Sequence, residues 1–132
     1  MIDFQVTSLV KELPSTIPFE GPETQERNQG FPFQARIGAN ESVFGPSKKV
    51  QDAIKMAASS SWKYGDPENF DLIDALADFY SLKRENFVVG EGIDGLLGYL
   101  ARLFVEPGEK VVTSLGAYPT FNYHVFGFGG KL

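Results

Sequence analysis

One stretch of this sequence has the residue types and spacing of an anion-binding site. The apolar run Phe87-Val88-Val89 leads into Gly90-Glu91-Gly92, and apolar residues then recur at helical spacing from Leu96 to Phe104. This pattern predicts a strand, a tight turn and a helix N-terminus, where unpaired backbone N–H groups meet the positive end of the helix dipole. The candidate phosphate ligands are three N–H groups of the first helical turn, those of Ile93, Asp94 and Gly95.

Two acidic residues in this turn keep a second interpretation open. Asp94 is favourable near a helix N-terminus, so the helix could be capped by its own side chain with no ligand bound. Glu91 adds another negative charge, which suits a phosphate only if both carboxylates point away. A Gly-x-Gly pattern alone is also a weak signal.

Tyr118 is a second candidate, because it follows another predicted strand, Lys110 to Thr113, in a Gly-Ala-Tyr-Pro turn. In an open α/β sheet, ligands bind beyond the carboxyl ends of the strands. Gly92 and Tyr118 both follow such an end, so we expect them to line one crevice. Packing of an aromatic ring in a loop would explain Tyr118 equally well.

The remaining candidates are weaker. Tyr64 and the pair Asn40-Glu41 lie in polar loops that compact turns could explain. The single histidine, His124, falls in a predicted helix among aromatic residues and is interpreted as an ordinary helix residue. The sequence has no His/Asp/Glu cluster with metal-ligand spacing and no Ser-His-Asp arrangement, so we predict neither a metal site nor a catalytic triad.

Turn residues and amphipathic patterns define the elements that must position these groups. Residues 1 to 34 contain repeated proline and glycine and are predicted to form an extended arm, with a short helix from Phe4 to Leu13. A disordered tail is the alternative. A short strand is predicted at residues 35–39, followed by a loop over residues 40–47.

Four helices are predicted after that loop, separated by breakers. Ser47 is a suitable N-cap for the first helix, whose apolar face ends at Ala57. The others are expected from about Phe70 to Tyr80, from Gly92 to Val105, and from Pro119 to Phe126. From Phe87 onward the order is strand, helix, strand, helix and a further strand start, which predicts an α/β fold with a parallel sheet.

Composition excludes several classes of partner. A chain of 132 residues with a net charge of −5 is about one domain and would not attract nucleic acid or an anionic membrane. There is no cysteine, which excludes disulfides, thiolate metal sites and a cysteine nucleophile. The N-terminus lacks the pattern of a signal peptide, and no apolar run approaches the roughly 20 residues that span a bilayer. A cytoplasmic location is expected.

Five motifs in register resemble the N-terminal portion of pyridoxal-phosphate-dependent aminotransferases of fold type I, closest to the histidinol-phosphate aminotransferase-like group. The resemblance extends over about residues 36 to 132. The matching stretches are Gly38-Ala39-Asn40-Glu41-Ser42-Val43-Phe44-Gly45-Pro46-Ser47, Tyr64-Gly65-Asp66-Pro67-Glu68, Val89-Gly90-Glu91-Gly92-Ile93-Asp94-Gly95, Phe104-Val105-Glu106-Pro107-Gly108-Glu109-Lys110-Val111 and Ala117-Tyr118-Pro119-Thr120-Phe121.

This resemblance implies a three-layer αβα fold with a mostly parallel sheet. Residues 1–39 would be an N-terminal arm and small-domain segment, and residues 40–132 the first part of the large pyridoxal-phosphate-binding domain. In such enzymes the residues matching Ile93, Asp94 and Gly95 hold the phosphate of pyridoxal 5′-phosphate.

Three further residues acquire roles by the same resemblance. Tyr118 would stack on the pyridine ring, and Tyr64 would reach the partner subunit's cofactor phosphate across a homodimer interface. Asn40 would lie near the carboxylate of the substrate. The implied substrates are an amino acid or amino-phosphate donor and a 2-oxo acid.

The chain also departs from the family pattern. Ile93 stands where relatives often have Ser or Ala and offers no hydroxyl, and Gly95 stands where they often have an acid. The lysine that forms the Schiff base, the aspartate that contacts the pyridine nitrogen and the arginine that binds the substrate carboxylate all match positions beyond Leu132. Catalytic residues are therefore not expected in this chain, and Lys131 matches none of them.

We therefore expect a truncated aminotransferase that does not transaminate alone. If the family fold is kept, Val88 and Val112 would lie on strands whose ladder neighbours are missing, and unpaired buried backbone is costly. Two alternatives stay open. The intact relative could be a lyase or decarboxylase of the same fold, or the short chain could be a non-catalytic module that binds phosphate or a protein partner.

Overall fold

The computed structural model describes residues 5–15, 19–38 and 40–132. Six α-helices lie within these ranges, joined by loops and two short 3-10 turns. The helices are α1 (Ser8–Glu12), α2 (Pro22–Gln29), α3 (Lys48–Ala57), α4 (Phe70–Tyr80), α5 (Gly92–Phe104) and α6 (Pro119–Gly127), and the 3-10 turns are Ala58–Ser60 and Arg84–Asn86.

The four helices expected after residue 47 are present, and local chemistry explains where they begin. The hydroxyl of Ser47 accepts a hydrogen bond from the backbone N–H of Val50 at 3.3 Å, which caps α3 as predicted. Pro119 occupies the first position of α6, where its missing N–H costs nothing. The predicted bounds of α3, α4, α5 and α6 are confirmed to within a residue.

The predicted extended arm contains a helix that the sequence interpretation missed. Residues Pro22–Gln29 form α2, with proline in its first turn and Gly30 at its C-cap at φ 84°. In the sequence, proline and glycine indicate an extended arm. However, proline is also common in the first turn of a helix, and a left-handed glycine commonly ends one. The helix has no apolar face, so periodicity could not reveal it. Of the helix expected from Phe4 to Leu13, Ser8–Glu12 is helical and Phe4 lies outside the described residues.

The predicted strands do not form a sheet in the described part of the chain. There, the β structure amounts to an isolated parallel bridge between Lys110 and Lys131. Two hydrogen bonds of 2.8 Å flank it, from the Val111 N–H to the Lys131 carbonyl and from the Lys131 N–H to the Glu109 carbonyl. The segment Phe87–Val89 and residues 35–38 carry no ladder, and Ala39 lies outside the described residues.

The chain divides into two compact units. The first combines the described residues before Gly21 with Val88–Leu132, and the second comprises the described residues of Gly21–Phe87. In the first unit α5 packs against α6, and both Ala101 of α5 and Val125 of α6 are buried. After α6 the chain turns back on itself so tightly that a side chain at Gly130 would overlap Val125 and Val105.

The second unit carries α2, α3 and α4. Arg36 pairs with Glu23 at 2.8 Å and with Glu41 at 3.1 Å, which joins α2 to the loop after residue 38. The guanidinium of Arg84 pairs with Asp74 of α4 and lies 4.0 Å from the centre of the Phe70 ring. The predicted division at residues 39 and 40 concerns the domains of the parent fold, and it stays a prediction.

Two features are absent from the described ranges. None of the helices there is long and apolar enough to cross a membrane. A search of the same residues finds no group of three or more His, Cys, Asp or Glu side chains that could hold a metal ion.

Candidate functional site

The turn before α5 is built as the glycine pattern predicts. The Gly92 N–H donates to the Gly90 carbonyl at 2.8 Å, and Glu91 between them has φ −77° and ψ 60°, the geometry of an inverse γ-turn. Gly92 itself has φ 73°, a conformation that other residues rarely adopt. A side chain at Gly90 would come within 2.9 Å of Leu96 and 3.2 Å of Tyr99, so the backbone lies directly against the side chains of α5.

The start of α5 is free of a side-chain cap. Glu91 is the N-cap residue, and among the described residues no side chain accepts a hydrogen bond from the first turn in the capping position. The N–H groups of the first turn of an α-helix have no partner inside the helix. Because the Gly92 N–H bonds to the Gly90 carbonyl, the candidate anion donors of the first turn are the N–H groups of Ile93, Asp94 and Gly95.

The carboxylate of Glu91 lies along the side of α5. Its Oε2 accepts a hydrogen bond from the Tyr99 hydroxyl at 2.7 Å. A Cβ added to Gly95 would be 2.9 Å from the same oxygen, so the missing side chain of Gly95 is what leaves room for the carboxylate. The hydrogen bond from Tyr99 is the main reason that the pKa of Glu91 is lowered, and the same bond raises the pKa of Tyr99.

The carboxylate of Asp94 also has a partner. Its Oδ1 lies 3.3 Å from Nε2 of His124, on the neighbouring helix α6. The imidazole rests on Gly98, where an added Cβ would be 3.0 Å from Cε1 of the ring. Capping of α5 by the Asp94 side chain, the alternative that the sequence left open, is not the arrangement found. The sequence did not single out the contact of His124, because it depends on the packing of α5 on α6.

Tyr118 lies in the same unit, at the beginning of α6. It is the N-cap residue of that helix, with φ −58° and ψ 117°, and its carbonyl accepts a hydrogen bond from the Phe121 N–H at 3.1 Å. About half of the residue is exposed to solvent. Six residues further along α6, His124 contacts the first turn of α5, which joins the helix that follows Tyr118 to the candidate anion site.

Tyr64 and Asn40 belong to the second unit. The side chain of Tyr64 is 103% exposed, so its ring packs on nothing in the described chain. The loop that carries it is ordered by Asp66, whose carboxylate accepts hydrogen bonds from the N–H groups of Glu68 and Phe70 at 3.0 and 2.8 Å. Asn40 has φ 55°, a left-handed conformation that asparagine tolerates well.

The free N–H groups at the uncapped start of α5 are of the kind that bind anions. One residue beside them, Tyr99, could have been found from the sequence. Glu91, Gly95 and Tyr99 are spaced by four residues, which places them on one face of the helix. That spacing predicts a contact of the acid with the tyrosine across the glycine. Tyr99 was not among the residues singled out by the sequence analysis.

The known proteins most informative for this chain are histidinol-phosphate aminotransferases. The solved structure of histidinol-phosphate aminotransferase from Sinorhizobium meliloti, in complex with pyridoxal-5′-phosphate, is 55% identical and matches 98% of this chain with a TM-score of 0.89. Histidinol-phosphate aminotransferases from Methanocaldococcus jannaschii and Methanococcus maripaludis are 30% and 29% identical over 94% and 93% of the chain. No family model matches the chain.

These matches confirm the resemblance that the motif series predicted, and they also limit it. The chain spans 33% of the length of the two archaeal relatives and 34% of the solved chain. It is therefore similar to one third of a histidinol-phosphate aminotransferase.

Proposed function

We propose that this chain carries the phosphate-binding part of a pyridoxal-phosphate-dependent aminotransferase. The observation that carries the proposal is its likeness, at 55% identity over 98% of its length, to a relative bound to that cofactor. The uncapped start of α5 supports it, because a phosphate needs free N–H donors at a helix N-terminus. We propose the three-layer αβα arrangement with it, supported by the backbone likeness and by the parallel bridge between Lys110 and Lys131.

The residues of α5 and α6 fit the cofactor. The N–H groups of Ile93, Asp94 and Gly95 would donate to the phosphate. Ile93 is 64% exposed, so its surroundings leave room for a ligand. The half-exposed ring of Tyr118 would cover one face of the pyridine. When bound, pyridoxal phosphate supplies an electron sink for amino-group chemistry.

Tyr64 and Asn40 have proposed roles away from α5. Full exposure of Tyr64 supports a contact outside its own chain, and we propose that it completes the phosphate site of a second copy in a homodimer. Asn40 would face the carboxylate of the substrate, with its loop held by the pair of Glu41 with Arg36. The proposed substrates are an amino donor and a 2-oxo acid. A cytoplasmic location is part of the proposal, and the absence of cysteine is compatible with it.

Binding by this chain alone should not lead to amino transfer. By the resemblance, the lysine that bonds to the cofactor matches no position here. Pyridoxal phosphate also reacts with surface lysines through its aldehyde, so the test requires a probe without that group. We would titrate the 132-residue chain with 4-deoxypyridoxine 5′-phosphate and, separately, with 4-deoxypyridoxine, and measure binding by calorimetry.

The expected result is that only the phosphorylated probe binds measurably, and that Ile93→Pro weakens its binding about tenfold by removing one donor to a charged group. Proline is tolerated in the first turn of a helix. Lys49→Pro, at the same position of α3, is the matched control and should bind as the parent does, since the Ser47 cap of that helix bonds to Val50.

Several outcomes would contradict the proposal. Equal binding of the two probes would overturn phosphate recognition, and equal losses in the two proline variants would assign the effect to general loss of structure. Amino transfer by the isolated chain would contradict the expectation that none of its residues acts as the Schiff-base lysine. Absence of binding would favour a module that binds a protein partner, and an intact relative that releases carbon dioxide would favour a decarboxylase.

A further inference from the structure

We propose that Tyr99 and His124 are positioning residues that hold the two carboxylates of the turn beside α5, clear of the N–H groups of Ile93 and Asp94. The inference rests on the proposed function, because it concerns the same phosphate site. It resolves the conflict that the sequence presents, in which an anion site contains two acids within four residues.

The contact with Tyr99 draws the Glu91 carboxylate along the helix. Glu91 precedes the first turn, whereas Tyr99 lies two turns into α5. A hydrogen bond of 2.7 Å between their side chains therefore places the carboxylate alongside the helix rather than in front of its N-terminus. The same oxygen occupies the space that a side chain at Gly95 would need, since a Cβ added there would be 2.9 Å from it. Gly95 lies between Glu91 and Tyr99 on that face of the helix, which agrees with this path. The lowered pKa of Glu91 keeps this acid charged and bonded to Tyr99.

The contact with His124 draws the Asp94 carboxylate sideways. His124 belongs to α6, which packs along α5, so an Asp94 side chain that contacts it points across to the neighbouring helix. The imidazole can take this position because Gly98 has no side chain. Each acid of the turn thus has a partner on the flank of α5. A missing side chain on that helix makes room for each pair, at Gly95 for the Glu91 carboxylate and at Gly98 for the His124 ring.

A released carboxylate would oppose the phosphate in two ways. It would bring a negative charge close to the doubly charged ligand, which costs binding free energy. It could also accept hydrogen bonds from the same N–H groups, as acidic side chains do at helix N-termini. Tyr99 and His124 would therefore affect phosphate affinity without touching the phosphate.

The test is a pair of double-mutant cycles on the full 132-residue chain. Inorganic phosphate is the probe, and binding is followed by NMR shifts of the Ile93 and Asp94 N–H signals. Tyr99→Phe removes only a hydroxyl, and His124→Phe keeps a ring against Gly98 while removing the contact to Asp94. We expect each to weaken phosphate binding about fivefold through repulsion by the released acid.

Variants in which the acid is replaced by its neutral amide separate a positioning role from a structural one. In Glu91→Gln, the Tyr99→Phe change should have no effect on phosphate affinity, and in Asp94→Asn the same should hold for His124→Phe. Equal losses with and without the acid would overturn the positioning role alone, because they would show that the ring or hydroxyl merely supports the fold. Absence of phosphate shifts at Ile93 and Asp94 in the parent chain would overturn the proposed function and this inference together.

Discussion

His124 of α6 and Asp94 in the first turn of α5 approach each other to 3.3 Å, while the ring of the same histidine lies against Gly98. The side chain of His124 thus contacts the Asp94 carboxylate and also packs against α5 at Gly98. Because the helix pair forms the buried part of the first unit, changes at these residues connect stability with the candidate site.

Two glycines of α5, Gly95 beside the Glu91 side chain and Gly98 beside the His124 ring, should respond differently to alanine. Alanine in place of glycine stabilises a helix by up to about 1 kcal/mol. At Gly95 the new methyl meets a carboxylate that can swing away, so Gly95→Ala should raise the melting temperature. At Gly98 it meets the imidazole ring at 3.0 Å, and overpacking should remove the gain. Thermal unfolding followed by circular dichroism checks the order. A Gly98→Ala chain at least as stable as Gly95→Ala would contradict the packing described for His124.

Val125 should be among the residues on which the first unit depends most. This residue of α6 is fully buried, with 0% of its surface exposed. Val125→Ala removes about two methylene equivalents and should lower the free energy of unfolding by about 2 kcal/mol. Denaturant titration measures the change. Val112→Ala is the matched control, since this valine is 97% exposed and its truncation should have little effect. Similar losses in the two variants would show that the burial of Val125 is not what stabilises the unit.

Asp66 should make the stability of the second unit depend on pH. Its pKa is lowered, chiefly by the hydrogen bond from the Phe70 N–H and then by that from Glu68, so the folded state favours the charged form. The stabilisation is fully present above the ordinary carboxyl pKa of about 3.9 and is lost as the pH falls through the lower, folded value.

We therefore expect Asp66→Asn to lower stability at neutral pH, with the difference shrinking as acid is added. Thermal unfolding as a function of pH checks this. Glu68→Gln, in the same loop, is the control and should leave the pH profile as in the parent chain. A constant difference between parent and Asp66→Asn at all pH values would contradict the assignment to the charged carboxylate.

The pair of Glu91 with Tyr99 has its own pH window. Glu91 has a lowered pKa and Tyr99 a raised one, each caused first by the hydrogen bond to the other. The contribution of Glu91 is lost as the pH falls through its folded pKa, and that of Tyr99 is lost as the pH rises through its own. The pair should thus stabilise the turn between about pH 4.3 and 10. Tyr99→Phe should raise the pKa of Glu91, measured by NMR of its carboxyl carbon. An unchanged value would show that Tyr99 does not bind this acid in solution.

The sequence predicts those parts of the structure whose signals are local. Ser47 fixes the start of α3 because a hydroxyl three residues before a free N–H is a self-contained cap. The turn before α5 is likewise local, because Gly92 adopts a left-handed φ that favours glycine. The helix α2 was missed for the opposite reason. It lacks an apolar stripe. Its proline and glycine can either interrupt a helix or mark the two ends of one, and the sequence alone does not distinguish these cases.

What the sequence could not show depends on partners distant in the chain. His124 meets Asp94 across 30 positions, and no local pattern of either residue indicates the other. Phe87 has extended backbone, as expected of a strand, but an extended segment becomes part of a sheet only when another strand lies beside it. Lys131 supplies such a neighbour at one residue, which is why pairing begins there and extends no further in the described chain.

The short parallel bridge also leaves a consequence for the behaviour of the chain at high concentration. Val88 and Val112 are 75% and 97% exposed on extended segments without ladder bonds, and such edges invite pairing with any other extended backbone. Self-association through these segments would rise with protein concentration and could be mistaken for the proposed dimer. Light scattering over a dilution series of the parent chain and of Val112→Lys distinguishes the two kinds of association. A charge on the exposed segment should suppress pairing between extended segments without affecting a dimer that uses Tyr64.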